Sequence, residues 1–466
     1  MTARRALALL FPCLLAGCAT TPPPAGTLTA ESAAADFTAR SLEDERLGHF
    51  LAENLGRDPG AAPWDFETLS WVAFYYHPSL AVARAQWATA RAMQATAATR
   101  PNPTVALTPG YNATREPGLS PWFPAVNVDF LFPTAGKRTR QQELARAEAE
   151  AARLGVLSAA WQVRSELRRT LVDAAIAGRR VKALRAQADA QRALVGLVEQ
   201  RFNAGGATAT EFSNARAGLL RAEAAVADAL SQSASARVRV ATALGMPASA
   251  LEGRPLPVPP AGPVLSRDAL LAARRESLRA RADILAALAK YHSAQAALEL
   301  EVAKQVPDFH LGPGYQWDQG ANKWSLTVSF ELPIFHRNEA PIAEATARRA
   351  EAAAQFNVVQ AQALAAIDAA VAAQTAAALQ REHALQLTDE MAKQSARAQQ
   401  RVEAGAADRL ELQLARVESV SVEMLMHDAE SAAVTAAGQL EDALQMPFPR
   451  LANLADPARA HVSSSP

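Results

Sequence analysis

Two periodicities divide the chain. Over residues 323–332, Trp324, Leu326, Val328, Phe330 and Leu332 fall on one face and Ser325, Thr327, Ser329 and Glu331 on the other. Residues 125–132 repeat the pattern, with Val126, Val128, Phe130 and Phe132 opposite Asn127, Asp129 and Leu131. Period two predicts strands whose two faces meet different surroundings. Elsewhere apolar positions advance in steps of three and four, as in Val181, Leu184, Ala188, Gln191, Val195, Val198 and Phe202. That is the seam of packed, supercoiled helices. The expected order is helix 65–99, strands 104–113 and 125–132, and helices 137–203 and 208–244. It then recurs as helix 266–304, strands 309–317 and 323–332, and helices 338–403 and 408–444. Asp65 is placed to cap the first helix, and Pro101 with Pro103 ends it.

The recurrence is a duplication. His77 to Tyr111 aligns without a gap on Arg281 to Tyr315, anchored by Pro103/Pro307, Pro109/Pro313, Gly110/Gly314 and Tyr111/Tyr315. Farther on, Phe130 pairs with Phe330, Pro133 with Pro333, Arg201 with Arg401, Gly205 with Gly405 and Pro247 with Pro447. The fold class expected is mainly α with a small β part, built from a duplicated helix-strand-strand-long helix-helix unit. The first repeat spans 65–247 and the second 266–447. Between them lies a linker, 248–265, whose Pro255, Pro257, Pro259, Pro260 and Pro263 exclude helix. A tail, 448–466, follows.

Composition sharpens the helical reading. The chain has 466 residues, of which 110 are Ala and 6% are aromatic. So much Ala favours long helices at close approach over a thick globular core. Basic and acidic residues balance at 47 each, which excludes nucleic-acid binding by bulk charge. The eight His include no pair at ligand spacing, and neither a phosphate loop nor a nucleophile elbow occurs. No catalytic residue, cofactor or bound metal is expected. A 67-residue helix at 137–203 would be about 100 Å long, a length that fits either a rod or the wall of a tube.

The strands favour the tube. Each is long enough to cross an outer membrane with lipid-facing and lumen-facing side chains alternating, and Tyr111, Trp122, Phe123, Tyr315, Trp317 and Trp324 gather at strand ends as interfacial aromatics do. Four strands cannot close, and an open edge in hydrocarbon leaves backbone groups unpaired. Completion by further copies gives 8, 12 or 16 strands. At the N-terminus, Arg4 and Arg5 precede an apolar stretch ending in Leu15-Ala16-Gly17-Cys18, which resembles a bacterial lipobox. This predicts a signal peptide at 1–17, acylation of Cys18, and a lipidated tether over 18–64. No other run of 18 apolar residues occurs, so no membrane-crossing helix is expected.

With these features in place, the chain resembles TolC-type outer-membrane efflux proteins. Pro101-Asn102-Pro103, Phe132-Pro133 with Gly136-Lys137-Arg138, and Leu332-Pro333-Ile334-Phe335 with Arg337-Asn338 resemble the cobalt-zinc-cadmium heavy-metal branch of that family. The resemblance implies a homotrimer with an α-helical barrel and a 12-stranded transmembrane β-barrel. It implies outer-membrane localisation, with a periplasmic adaptor and an inner-membrane resistance-nodulation-division pump as partners. The helix turns carrying Arg201, Gly205, Arg401 and Gly405 would form the periplasmic tip that meets the adaptor, with Glu211, Glu403, Asp408 and Glu411 as the candidate gate. Heavy-metal cations are the cargo this branch implies. A drug or polypeptide duct, and a periplasmic coiled-coil scaffold carrying soluble hairpins, are the competing readings.

Overall fold

The computed structural model describes residues 28–56, 64–114, 118–259, 262, 265–406, 408–448 and 450. The expected leader, Cys18 and the tail from residue 451 onward lie outside them.

The segment expected as a tether carries two helices, α1 (Ala30–Thr38) and α2 (Glu45–Leu55). Thr29 and Ser32 form a reciprocal cap on α1, and Asp44 caps α2. Leu47 and Leu51, one turn apart, are fully buried beside Leu69, Val72, Leu167, Leu171, Val240 and Leu244. An apolar stripe on a short helix thus docks the segment on the core. The expectation of a bare tether over 18–64 overlooked that stripe.

The expected helix 65–99 is broken into α3 (Phe66–Tyr76) and α4 (Pro78–Ala98). Its counterpart 266–304 becomes α7 (Arg267–Ala280) and α8 (Ala282–Ala303). His77 and Arg281, which align in the repeat, hold extended backbone at the two breaks. Pro78 explains the first, since the residue before a proline avoids helical geometry. The second has no proline, only its alignment with the first.

The long staves are α5 (Lys137–Asn203) and α9 (Glu339–Glu403), of 67 and 65 residues. Each turns back at its far end into α6 (Ala209–Leu244) or α10 (Arg409–Leu444). Along α5 lie α4, α6, α8 and α10, and along α9 lie α8 and α10. The end of α6 meets the start of α4: a Cβ on Gly245, at φ +73°, would sit 2.8 Å from the Tyr76 carbonyl oxygen. In the second repeat Gln445 takes the left-handed position, and its side chain accepts the Ala282 amide at 2.9 Å. Each repeat therefore builds a second stave from two helices laid end to end. Val181, Leu184, Ala188 and Val198 of the expected seam are buried; Leu194 is buried in place of Val195, Gln191 is only partly covered, and Phe202 is exposed.

One stretch of α9 is long and apolar enough to cross a membrane by length and composition, with a mean hydropathy of 1.3 over 18 residues. No unbroken apolar run marks it, because Gln and Asp interrupt a stretch whose hydropathy comes largely from Ala methyl groups.

The four strands form one antiparallel sheet in the order β1-β2-β3-β4. They are β1 (Thr104–Thr108), β2 (Ala125–Phe132), β3 (Phe309–Asp318) and β4 (Ala321–Phe330). The expected hairpins are thus fused, with β2 of the first repeat paired to β3 of the second. β1 ends at Thr108 because Pro109 has no N–H to donate and the Phe123 ring presses on Gly110. Beyond it a lone bridge pairs Tyr111 with Trp122. Gln319 and Gly320, both at positive φ, make the two-residue turn between β3 and β4. Through that turn β4 pairs from Ala321 and stops at Phe330, ahead of Pro333.

Candidate functional site

The register sorts the sheet into two faces. Val105 lies opposite Val128, Leu107 opposite Val126, Leu311 opposite Phe130 and Val328, and Tyr315 opposite Val126 and Trp324. This face is apolar and bare: Trp324 is 80% exposed, and Val105, Leu107, Leu326, Val328 and Phe330 are exposed too. Aromatic pairs bound it at both ends, Phe132 stacked on Phe309 near the helices and Tyr111–Trp122 and Tyr315–Trp324 at the far end. The Trp324–Phe330 stretch of β4 is about 20 Å long at strand rise, close to the apolar band of an outer-membrane barrel.

The other face is polar. Asp129 accepts from His310 at 2.7 Å, and Gly314 sits where a Cβ would lie 2.1 Å from Asn127 Oδ1. Below it, where strands join helices, opens a cavity of about 1080 Å³. Thr96 and Arg100 from the α4 end and His336 and Arg337 from the α9 end both border it. Two ends of one curved wall can share a cavity only on its concave side. Leu131, His310, Ser329 and Glu331 line it, against Phe330 alone from the apolar set, so the polar face is concave and the apolar face convex.

The turns at the far ends of the staves are built alike. Gly205 and Gly405 adopt φ +76° and +71°. The amides of Gly206 and Ala406 reach back to the carbonyls of Arg201 and Arg401 at 2.7 and 2.8 Å, a left-handed helix stop that reverses the chain. The expected tip residues do converge here. Arg201 of the first repeat pairs with Asp408 of the second at 2.7 Å, while Arg401 pairs with Glu411 of its own repeat at 2.6 Å. Glu211 is taken up by its own cap, accepting the Thr208 amide at 2.6 Å. That bond, with the Thr208 hydroxyl, holds its carboxyl below the ordinary range. Glu403 meets Gln399 at 3.0 Å. The four acids thus do not act as one ring within a protomer: two are paired to arginines, one caps a helix and one is bound by an amide.

A charged cluster at the level of the helix breaks went unread in the sequence. Glu441 is fully buried against Arg164 at 2.8 Å and Arg168 at 2.6 Å. The Arg168 guanidinium lies between the Phe66 and Phe448 rings, 4.4 Å from each. Burial pushes the Arg168 pKa down. Ser165 donates to Asp442 at 2.6 Å, and burial raises the Asp442 carboxyl to about 6. The available signal was two acids, Glu441 and Asp442, sitting inside the apolar period of Leu440 and Leu444.

A family model for outer membrane efflux proteins matches residues 73–246 and 273–444, both repeats and most of the chain. The chain is an outer membrane efflux protein. It is a channel protein of this family and not an enzyme. Solved structures agree on the fold. The outer membrane protein VceC from Vibrio cholerae superposes with a TM-score of 0.68 at 22% identity, covering 82% of this chain and 96% of that one. The CmeC outer membrane channel of Campylobacter jejuni gives 0.68 at 15%, covering 94% and 98%. CusC gives 0.64 at 17%, covering 82% and 92%. No curated relative matches this efflux protein significantly.

Proposed function

We propose that three copies of this efflux protein close a 12-stranded barrel in the outer membrane, continued in the periplasm by a helical tube, and form the exit duct of a tripartite efflux system. The observation that carries the reading is the sheet: four strands with an apolar convex face, bounded by aromatics, and outer edges on β1 and β4 with no partner among the described residues. Hydrocarbon makes unpaired edges expensive, so a membrane sheet must be closed by another chain. The adaptor would dock at the turns around Arg201, Gly205, Arg401 and Gly405, and an inner-membrane resistance-nodulation-division pump would supply the cargo. Glu211, Glu403, Asp408 and Glu411 remain the candidate gate, through the Arg201–Asp408 and Arg401–Glu411 pairs rather than as bare charge. Acylation of Cys18 would pin the N-terminus to the inner leaflet, and the C-terminal tail would stay periplasmic.

Heavy-metal cations as cargo rest on the Gly136-Lys137-Arg138 and Arg337-Asn338 motifs. A second cargo class, organic and anionic, is favoured by the cationic side chains around the concave cavity. Native mass spectrometry of the detergent-solubilised full chain tests assembly. A trimer is expected, and a monomer that stays in solution without detergent would defeat the proposal. Palmitate labelling that vanishes in Cys18→Ser tests the anchor.

A further inference from the structure

From its chemistry and its place under the barrel, we infer that the concave cavity is an anion-attracting chamber in the lumen, which binds carboxylate, phosphate or sulfonate groups of passing cargo. The inference rests on the duct reading and deepens it by naming a cargo chemistry.

Five cationic side chains border the cavity: Arg100, Lys137, Arg138, Lys304 and Arg337. Against them stand two carboxylates, Asp308 and Glu331. Asp308 is spent on Lys137 at 2.7 Å and on the Thr134 amide at 2.8 Å. Lys304 is balanced by Glu301, which also accepts from the cavity-lining Asn338 at 3.0 Å. Arg138 donates to the neutral Ala98 carbonyl at 2.6 Å, which satisfies a donor and leaves the charge standing. Among the described residues, neither the Arg100 nor the Arg337 guanidinium makes a hydrogen bond or ion pair. The nearby Glu339 carboxylate folds back on the Arg337 amide at 2.7 Å.

The backbone adds to the same field. α5 and α9, the two longest helices, both begin beside this cavity, behind left-handed residues Gly136 and Asn338 that provide no side-chain cap. α5 has no acid in its first turn and keeps its partial positive charge beside the arginines, whereas the start of α9 is met by the Glu339 carboxylate. Walls of low dielectric focus such a field and raise the local concentration of counter-ions. Lipid cannot be the source of the anion here, because the cavity lies on the polar concave face and the acyl chains meet the convex one. Three copies around an axis would repeat the arrangement threefold.

Tripolyphosphate titrated into the detergent-solubilised full chain by calorimetry is the direct probe. The parent protein should bind it. Arg100→Gln with Arg337→Gln should weaken binding at least tenfold, while Arg348→Gln, an exposed cation on α9 outside the cavity, should leave it unchanged. Equal thermal melting of the three proteins excludes misfolding as the cause. No binding by the parent, or equal binding by the double variant, overturns the chamber. Bilayer conductance separates this from the duct itself: a conducting protein that fails to bind tripolyphosphate defeats the chamber alone, and binding by a protein that stays non-conducting even after Asp408→Arg defeats the duct and leaves an anion site with no lumen.

Discussion

At the residue scale, the buried charges where the helices break make the sharpest claims. Glu441 faces two guanidinium groups with no exposure of its own. Removing one member of such a cluster leaves uncompensated charge inside the protein, at a cost of about 3–5 kcal/mol. Glu441→Ala should therefore lower thermal stability far more than a typical surface change, as read by circular dichroism melting in detergent. Asp442 beside it has a carboxyl raised to about 6 by burial. A raised carboxyl stabilises the fold while it is protonated, so its contribution is full below its unfolded value near 3.9 and is lost as pH rises through about 6. Asp442→Asn keeps an acceptor for Ser165 and removes the titration. It should be the more stable protein at pH 7.5, by about 1–3 kcal/mol, and should show a flatter melting profile between pH 4.5 and 7.5. Parallel pH profiles for the two proteins would contradict this. A related economy appears nearby. Arg281 donates to the Ala443 carbonyl in the second repeat, while in the first, where His77 occupies its place, Arg40 from the N-terminal segment donates to the Gly245 carbonyl at 2.6 Å. One guanidinium caps each helix end, delivered by different parts of the chain.

At the element scale, the sheet depends on what the concave face can hold. A Cβ at Gly314 would lie 2.1 Å from Asn127 Oδ1 and 2.6 Å from Ser325 Oγ, whereas one at Gly312 would meet nothing closer than 3.6 Å. Gly314→Val should cut the folded, protease-resistant protein recovered in membranes several-fold, and Gly312→Ala should not; equal recovery would remove the packing argument. At the tip, exposed pairs are individually worth only about 0.2–1 kcal/mol. Arg201–Asp408 joins the two repeats near the tip, and the proposed gate makes that link its test. Asp408→Arg should change single-channel conductance, and the swap Arg201→Glu with Asp408→Arg should restore it; an unchanged trace in the single variant would remove the pair from the gate. Much of this was legible in the sequence. Strict alternation marks β2 and β4, and the glycines after Asn203 and Glu403 mark the ends of the staves. The break at Arg281 was not legible, because no proline marks it and its contacts, the Ala443 carbonyl and the Gln445 side chain at the end of α10, lie far away in sequence. The buried arginines were also hidden, since Arg164 and Arg168 look like one more solvated helix face until Phe66 and Phe448 enclose them.

At the scale of the whole molecule, duplication explains the architecture. Each repeat contributes two strands and two staves, and β2–β3 pairing joins the halves into one curved wall. The curvature separates an oily convex surface from a polar concave one, and the same sense of curvature puts the cationic cavity inside. The repeat and the amphipathic strands could be read from residue order. Which face is concave could not, because it depends on how α4, α5, α8 and α9 lie side by side, and their Ala-rich surfaces have little direction of their own. The central claim is that this wall closes with two others around a water-filled path. The most direct test is single-channel recording of the purified full chain in a planar lipid bilayer. Discrete conductance steps from a trimeric preparation are the predicted result, and a lipid-inserted protein that never conducts, even after charge reversal at Asp408 opens the tip, would contradict the account.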